Sequence, residues 1–486
     1  MKFKTFYLLL IPFLLTGCNN SQKENDGPQK QEGEFFIKED TTINFLCMVN
    51  DRYLTNLQGM IDDFMKSEPH VKVNLYNPLG SGYYSAIERT IVSGFFKEDY
   101  PDIAQCYPDH VFSFIDRGYA VNLDDYLNND KYGLGKEKDD YISTFFEEGQ
   151  QYGQSGTYSL PFCKSTELMY YNAEALLGLN LSTIDATINN GQPLNAEYLD
   201  NLTWEELFDK LCPAIRQYNE EADADHKLYN VDPEGAIFTY DSDENFFITL
   251  ANQYGYGYTH LKEEGKGSID FDKPEMKALM KKLCDAKKEG YLQTHGSYDN
   301  YVSNLFTDKK ALFTVSSNSG LSYNYNEKNP FSLGVARIPH AEGRDYSSIN
   351  QGPSLCILDH KDNNRSLASY LLWKHITNET NATSWSLVTG YMGIRYSSYD
   401  NDEYNNAIGA KEKEGADKLE IATADNLIKI AAVKDQTFST SVFKGSGDVR
   451  AKVGSLLIDV LTSDGSEETI NGLFAACSEE LNNLLK

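Results

Sequence analysis

Hydrophobic and polar positions follow two alternating periods along most of the chain. Ile43-Asn44-Phe45-Leu46-Cys47-Met48-Val49 reads as a buried strand, and Leu54, Leu57, Ile61 and Phe64 share one face of a helix stopped by Ser67-Glu68-Pro69. Val71, Val73 and Leu75 alternate as the next strand. The grammar then repeats: Tyr84, Ile87, Ile91 and Phe95 mark a helix, Asp102 to Tyr107 a strand, and His110 to Arg117 a helix closed by Gly118. Strands alternating with helices predict a largely parallel sheet covered on both faces.

A second α/β region follows Tyr170. Thr203-Trp204-Glu205-Glu206 forms a capping box ahead of Leu207 and Leu211, with Trp204 packing at the helix start. Pro274 opens another helix carrying Met276, Leu279, Met280 and Leu283. Two strands break the pattern. Leu160-Pro161-Phe162 runs into the polar patch Cys163-Lys164-Ser165-Thr166-Glu167 before Leu168-Met169-Tyr170-Tyr171 resumes an apolar course, and Ala311 to Val315 breaks into Ser316-Ser317-Asn318-Ser319-Gly320. Polar groups inside buried strands are costly unless they are paired or have a task. No internal repeat of 20 to 50 residues is present, which excludes a solenoid.

The N-terminus changes the picture. Lys2 and Lys4 precede the apolar run Phe6 to Leu15, which is too short to cross a bilayer and contains Pro12, so residues 1–17 read as a signal peptide. The run closes on Leu14-Leu15-Thr16-Gly17-Cys18, which resembles the lipobox of bacterial lipoproteins. That resemblance implies cleavage before Cys18, a lipid on its thiol, and an extracytoplasmic body held at the cell membrane. The competing reading is a secretory peptide with an incidental cysteine. Residues 18–40, rich in Asn, Gln, Lys, Glu and Gly, form the lipidated start and a flexible tether. The other seven of the eight cysteines are widely spaced with no C-x-x-C, which suggests small core residues rather than disulfides or a metal site.

At 486 residues the chain exceeds one comfortable core, and 41% hydrophobic with 24% charged residues is a globular composition. Forty-four basic against 72 acidic residues give a formal charge of −28, which repels polyanions and argues against nucleic-acid binding. Catalytic motifs are scarce: H-E-x-x-H, G-x-S-x-G, the Walker loop and a G-x-G-x-x-G after a strand are all absent. Ser441-Val442-Phe443-Lys444 fits S-x-x-K, but no K-T-G accompanies it. Asp241 to Asn245 and Asn128 to Asp130 lack the calcium-loop spacing, and the eight histidines show no i, i+4 pairing. No cofactor and no metal are expected.

What remains is a binding signature. Asp62-Asp63-Phe64 with Pro69 and Val71-Lys72-Val73, the Gly80-Ser81-Gly82-Tyr83-Tyr84 loop, and Tyr100-Pro101-Asp102-Ile103-Ala104-Gln105 recur in order. They are followed by Leu160 to Thr166 with Tyr170-Tyr171-Asn172, by Lys310-Ala311-Leu312-Phe313, and by Trp385, Thr389-Gly390-Tyr391 and Arg395. In this order and spacing the chain, from about Ile43 to Leu485, resembles the extracellular solute-binding lipoproteins of bacterial ABC importers, in the carbohydrate branch that includes maltodextrin and glycerol-3-phosphate binders. The resemblance implies an α/β fold of the type II periplasmic-binding-protein class, with two hinged lobes and a ligand cleft between them. Lobe 1 would comprise 41–165 and 316–376, lobe 2 would comprise 166–315 and 377–486, and the crossings would fall after Phe162 and at Thr314 to Asn318.

The resemblance further implies a monomer without enzymatic activity that captures a sugar, an oligosaccharide or a sugar or glycerol phosphate and passes it to permease subunits. The rivals are a lipid-anchored glycoside hydrolase, which would need two carboxylates from among Glu147, Glu148 and Glu167, and an adhesin or sensor on the same fold. Carried over residue by residue, ligand contacts fall on Tyr84 or its neighbour Tyr83, Asp109, Lys164 or Ser165, Ser316 or Ser317, Gly352, Tyr391 and Arg450. Each has a structural alternative: a helix start for Tyr84, an N-cap for Asp109, a tight turn for Gly352 and an ordinary salt bridge for Arg450. Tyr391 is favoured as a stacking face for sugar, and the Arg450 guanidinium suits phosphate oxygens. Met48-Val49-Asn50 stands where the family often has aromatic residues.

Overall fold

The computed structural model describes residues 35–77, 83–95, 99–230, 235–298 and 300–486. Residues 1–34, which hold the expected signal peptide, Cys18 and most of the expected tether, lie outside the described residues. So do the side chains of Tyr83 and Tyr84, which open the helix Tyr83–Phe95.

The alternating stretches at the start of the chain become β1 (Thr41–Leu46), β2 (Val71–Tyr76), β3 (Ile103–Cys106) and the short β4 (Leu160–Pro161). The chain then crosses to β5 (Glu167–Asn172) and β6 (Phe238–Tyr240), and a hairpin, β7 (Thr259–Leu261) with β8 (Gly267–Ile269), precedes β9 (Leu292–Thr294). It continues through β10 (Phe313–Ser317), β11 (Leu333–Arg337), β12 (Ser348–Ile349), β13 (Ser354–Ile357) and β14 (Thr437–Phe438). Two five-stranded sheets result, ordered β2-β1-β3-β13-β4 and β11-β5-β10-β6-β9. Neighbours β1, β2 and β3 are parallel and β13 runs against β3; in the second sheet β6 is parallel to β9 and β10 while β5 runs against its neighbours.

Each sheet has its own apolar layers. Phe45 and Leu57 pack with Phe64 and Trp373 on one face of the first sheet, and Phe114, Tyr152 and Cys356 pack on the other. Trp204, Phe238, Phe247 and Phe474 anchor the core of the second. Thr203 caps its helix by accepting from the Glu206 N–H at 3.1 Å, and Trp204 is buried beside it as the sequence indicated. The seven described cysteines are all buried and unpaired by disulfides, so they serve as small core residues.

The lobes are divided differently from the expected boundaries. Ser316 and Ser317 remain in register with Leu168 and Glu167, and β11 returns to the second sheet beside β5, so the chain has not crossed at Thr314 to Asn318. It crosses later, along the run through β12 to β13, because five strands are needed to complete the second sheet before β13 can close the first. The helix Glu379–Thr389 also packs with the first sheet rather than the second: Trp385 lies in the first core, and Asn56 donates to Ser384 at 3.4 Å. Between β4 and β5 the chain passes from the first sheet to the second.

Candidate functional site

The polar patch after Phe162 lies where the two sheets meet. Met392 N–H donates to the Lys164 carbonyl at 2.7 Å, Ser165 and Gln351 exchange backbone hydrogen bonds at 3.0 and 2.8 Å, and Cys163 N–H donates to the Pro353 carbonyl at 3.1 Å. Two crossing segments, 163–166 and 350–353, thus run side by side. Gly352 makes this possible: its φ is +85°, and a Cβ would sit 1.9 Å from the Cys163 carbonyl oxygen.

Above these crossings opens a cavity of about 490 Å³ lined from both lobes. Asp109 and Tyr107 come from the start of the first-lobe helix Pro108–Asp116, Ser316 and Ser317 from the end of β10, and Arg450 from the first turns of the second-lobe helix Ser446–Thr462. The volume lies within the range of sites that enclose small organic ligands. Among the described residues five carboxylates line it, those of Asp109, Glu148, Glu167, Asp241 and Glu244, against the single cation Arg450.

Two of these carboxylates are set into the cavity wall. Glu148, buried, holds the Lys164 ammonium, and it also accepts from Asn350 Nδ2 at 3.2 Å and Ser354 Oγ at 3.3 Å. Lys164 is completely buried and donates a further bond to the Gly352 carbonyl at 3.1 Å. Glu167 accepts from Tyr240 OH and, at 2.7 Å, from Asn245 Nδ2. Asn245 Oδ1 in turn accepts from Gln351 Nε2 at 2.6 Å and from the Arg450 guanidinium. Burial pushes the Glu167 carboxyl up to about 7, against the downward pull of its two hydrogen bonds and of the Arg450 charge. The wall therefore carries a proton-exchanging group at neutral pH, wired to Arg450 through one amide.

Asp109 spans the lobes. Ser446 Oγ donates to Asp109 Oδ1, and a Cβ on Gly447 would lie 3.3 Å from Asp109 Oδ2, so the carboxylate sits directly against the N-terminal turn of the Ser446–Thr462 helix. That end of a helix carries partial positive charge, and a carboxylate satisfies it.

Of the residues singled out from sequence, Asp109, Ser316, Ser317, Gly352 and Arg450 are brought together around the cavity. Lys164 and Ser165 are buried behind its wall, the former consumed by Glu148. Tyr391 is partly buried near the crossing, its amide N–H on Thr389 Oγ1 at 3.2 Å, and it is not among the lining residues. Sequence reasoning missed Tyr107, Asn245, Asn350 and Gln351, and named Glu148 and Glu167 only as hydrolase carboxylates. Asn350-Gln351-Gly352-Pro353 was visible as a turn around a glycine; nothing in it announced the amides as cavity groups. Among the described residues no group of His, Cys, Asp and Glu side chains converges as a metal site.

Two sheets with crossing strands between them and a polar cleft at the junction define the fold of type II periplasmic binding proteins. The family model for bacterial extracellular solute-binding proteins matches residues 59–412, and the chain belongs to that family. It is 25% identical over 251 residues to the sn-glycerol-3-phosphate-binding periplasmic protein UgpB of Shigella flexneri, a match covering 50% of each. The chain thus spans about half the length of the curated relatives it matches. Solved structures show the same fold over more of the chain. UgpB of Mycobacterium tuberculosis in complex with glycerophosphocholine superposes with a TM-score of 0.69 at 17% identity, covering 92% of this chain and 98% of that one. The cyclic alpha-maltosyl-1,6-maltose binding protein of Arthrobacter globiformis gives 0.66 at 14% identity, covering 92% and 99%.

Proposed function

We propose that this protein is the solute receptor of an ABC importer, anchored outside the cell membrane through a lipid on Cys18. It captures a sugar, an oligosaccharide or a glycerol-phosphate-type solute between its lobes and hands it to permease subunits. The observation that carries this reading is the 490 Å³ polar cavity seated on the interlobe crossings of a chain in the solute-binding family. Such a site can exclude water from a ligand when the lobes shut about their connecting strands.

Within the cavity, Asp109, Ser316, Ser317 and Arg450 are the direct ligand groups in this reading, and Tyr83 and Tyr84 are ligand contacts by family resemblance. Lys164, Ser165 and Gly352 hold the crossing segments in register, and Tyr391 supports them from the first-lobe side. The Glu148 oxygens are engaged by Lys164, Asn350 and Ser354, which takes the Glu148 and Glu167 pair out of acid and base work and favours binding over hydrolysis. The protein acts as a monomer without chemistry of its own.

Small-angle scattering of the mature chain against maltodextrins, other oligosaccharides and glycerol-phosphate compounds tests the reading. Compaction with one of them, matched by calorimetric heat, is the expected result; an unchanged scattering curve with all of them would refute it. Replacing Cys18 with Ala should move the protein from the membrane fraction to the soluble extracytoplasmic fraction.

A further inference from the structure

Two short stretches join the lobes beside the cavity. The first is the hairpin β7–β8, rooted in the second lobe, where Ile269 packs against the core and the Phe443 ring fills the space beside Gly267, whose Cβ would sit 2.1 Å from it. Its tip leans on the first lobe. A Cβ on Gly153 would lie 2.8 Å from Gly265 Cα and 3.3 Å from Leu261 Cδ1, and one on Gly265 would meet the Phe112 ring at 3.5 Å. Gly153 adjoins the fully buried Tyr152, and Tyr152 and Phe112 share one apolar layer of the first lobe. The two glycine backbones touch because neither carries a side chain, and both hold left-handed φ values, +67° and +69°.

The second stretch is the segment 440–446. Val442 is buried in the same first-lobe layer as Phe112, while the next residue, Phe443, is buried in the second-lobe core. Lys444 N–H donates to the Gly265 carbonyl at 3.3 Å, which ties the segment to the hairpin tip, and Ser446 holds Asp109 of the first lobe. Thr440 and Val442 line the cavity, so these contacts border it, and they involve none of the residues of the crossings 163–166 and 350–353. Contacts of this kind, made between lobes and away from the strands that connect them, form and break as the lobes turn.

We propose that the tip of β7–β8, together with Val442, is a clasp that biases the lobes toward the shut arrangement before any solute arrives. Phe112, Leu261 and Val442 lose water where the lobes meet, so the protein itself supplies part of the free energy of closure. A solute then has to supply only the remainder, because a shut form that is already partly populated is reached with less ligand. The clasp requires two lobes that move against each other but no particular solute.

The test is small-angle scattering and amide hydrogen exchange on the mature chain without solute. Gly153→Leu places a side chain where the Gly265 backbone passes, whereas Gly118→Leu, at a φ of +73° with nothing within 4 Å of its Cβ, carries the same backbone penalty and no obstruction. Gly153→Leu should enlarge the radius of gyration over the parent and speed exchange in 259–269 and 440–446 about tenfold, by lowering the cost of local opening. Gly118→Leu should stay close to the parent in both, and Leu261→Ser, on the hairpin itself, should move both in the direction of Gly153→Leu by less. A Gly153→Leu scattering curve equal to the parent's, or equal expansion in the two glycine variants, would overturn the clasp. If Gly153→Leu also loses protection throughout β1, β2 and β3, Leu261→Ser decides: expansion upholds the clasp and a parent-like curve overturns it. Solute-driven compaction reads the receptor separately, since its absence with every solute would refute the receptor while expansion of the solute-free variant would still uphold the clasp.

Discussion

Lys164 and Glu148 form an ion pair beneath the floor of the cleft, with side chains 0% and 5% exposed. Removing one member of such a pair leaves an uncompensated buried charge. Lys164→Met should therefore cost about 3–5 kcal/mol of unfolding free energy, read by chemical denaturation. The double variant Lys164→Met with Glu148→Gln should recover a large part of that loss, because the stranded carboxylate is gone. A single variant as stable as the parent would show that the pair does not hold the crossing.

Gly352 is required by geometry. Its positive φ and the 1.9 Å approach of a Cβ to the Cys163 carbonyl make Gly352→Ala both strained and obstructed. A loss of at least about 2 kcal/mol is expected, beyond the usual cost of a non-glycine residue in the left-handed region. The melting temperature should fall accordingly, whereas Gly343→Ala, whose added Cβ meets nothing within 4 Å, should show only the smaller left-handed penalty.

Glu167 makes stability depend on pH. Its carboxyl is raised from the ordinary 4.5 to about 7 in the folded protein, so the folded state favours the neutral form. That contribution is fully present below about pH 4.5 and is lost as the pH rises through about 7, amounting to about 3 kcal/mol in total. Unfolding free energies measured across this window should decline with pH, and Glu167→Gln should flatten the decline.

The same curve reads out Arg450. Its charge is one of the influences that draw the Glu167 carboxyl downward, so Arg450→Met should move the upper end of the window to higher pH. An unchanged midpoint would mean that the guanidinium charge does not act on Glu167.

Much of this architecture was legible in the pattern of residues. The periods of Ile43 to Phe64 and Val71 to Phe95 specified strand and helix because side-chain direction follows from backbone geometry over a few residues. The polar run after Phe162 marked the first crossing for the same local reason, since a buried strand that turns polar must meet other polar groups. The second crossing was misplaced because Ser316 and Ser317 give the same local signal while still paired with β5; only the partner strand distinguishes a lobe junction from a sheet end.

The kinds of element, the family likeness and the residue types that reach the cleft follow from the order of residues along the chain. Tertiary structure alone decided their roles. Lys164 looked like a ligand contact and is instead consumed by Glu148, while Asn245 and Gln351, 106 residues apart, meet at 2.6 Å to join Arg450 to Glu167. Local propensity is written in neighbouring residues, whereas the partner of a charge depends on which distant segments the fold packs together, and a single sequence does not carry that pairing.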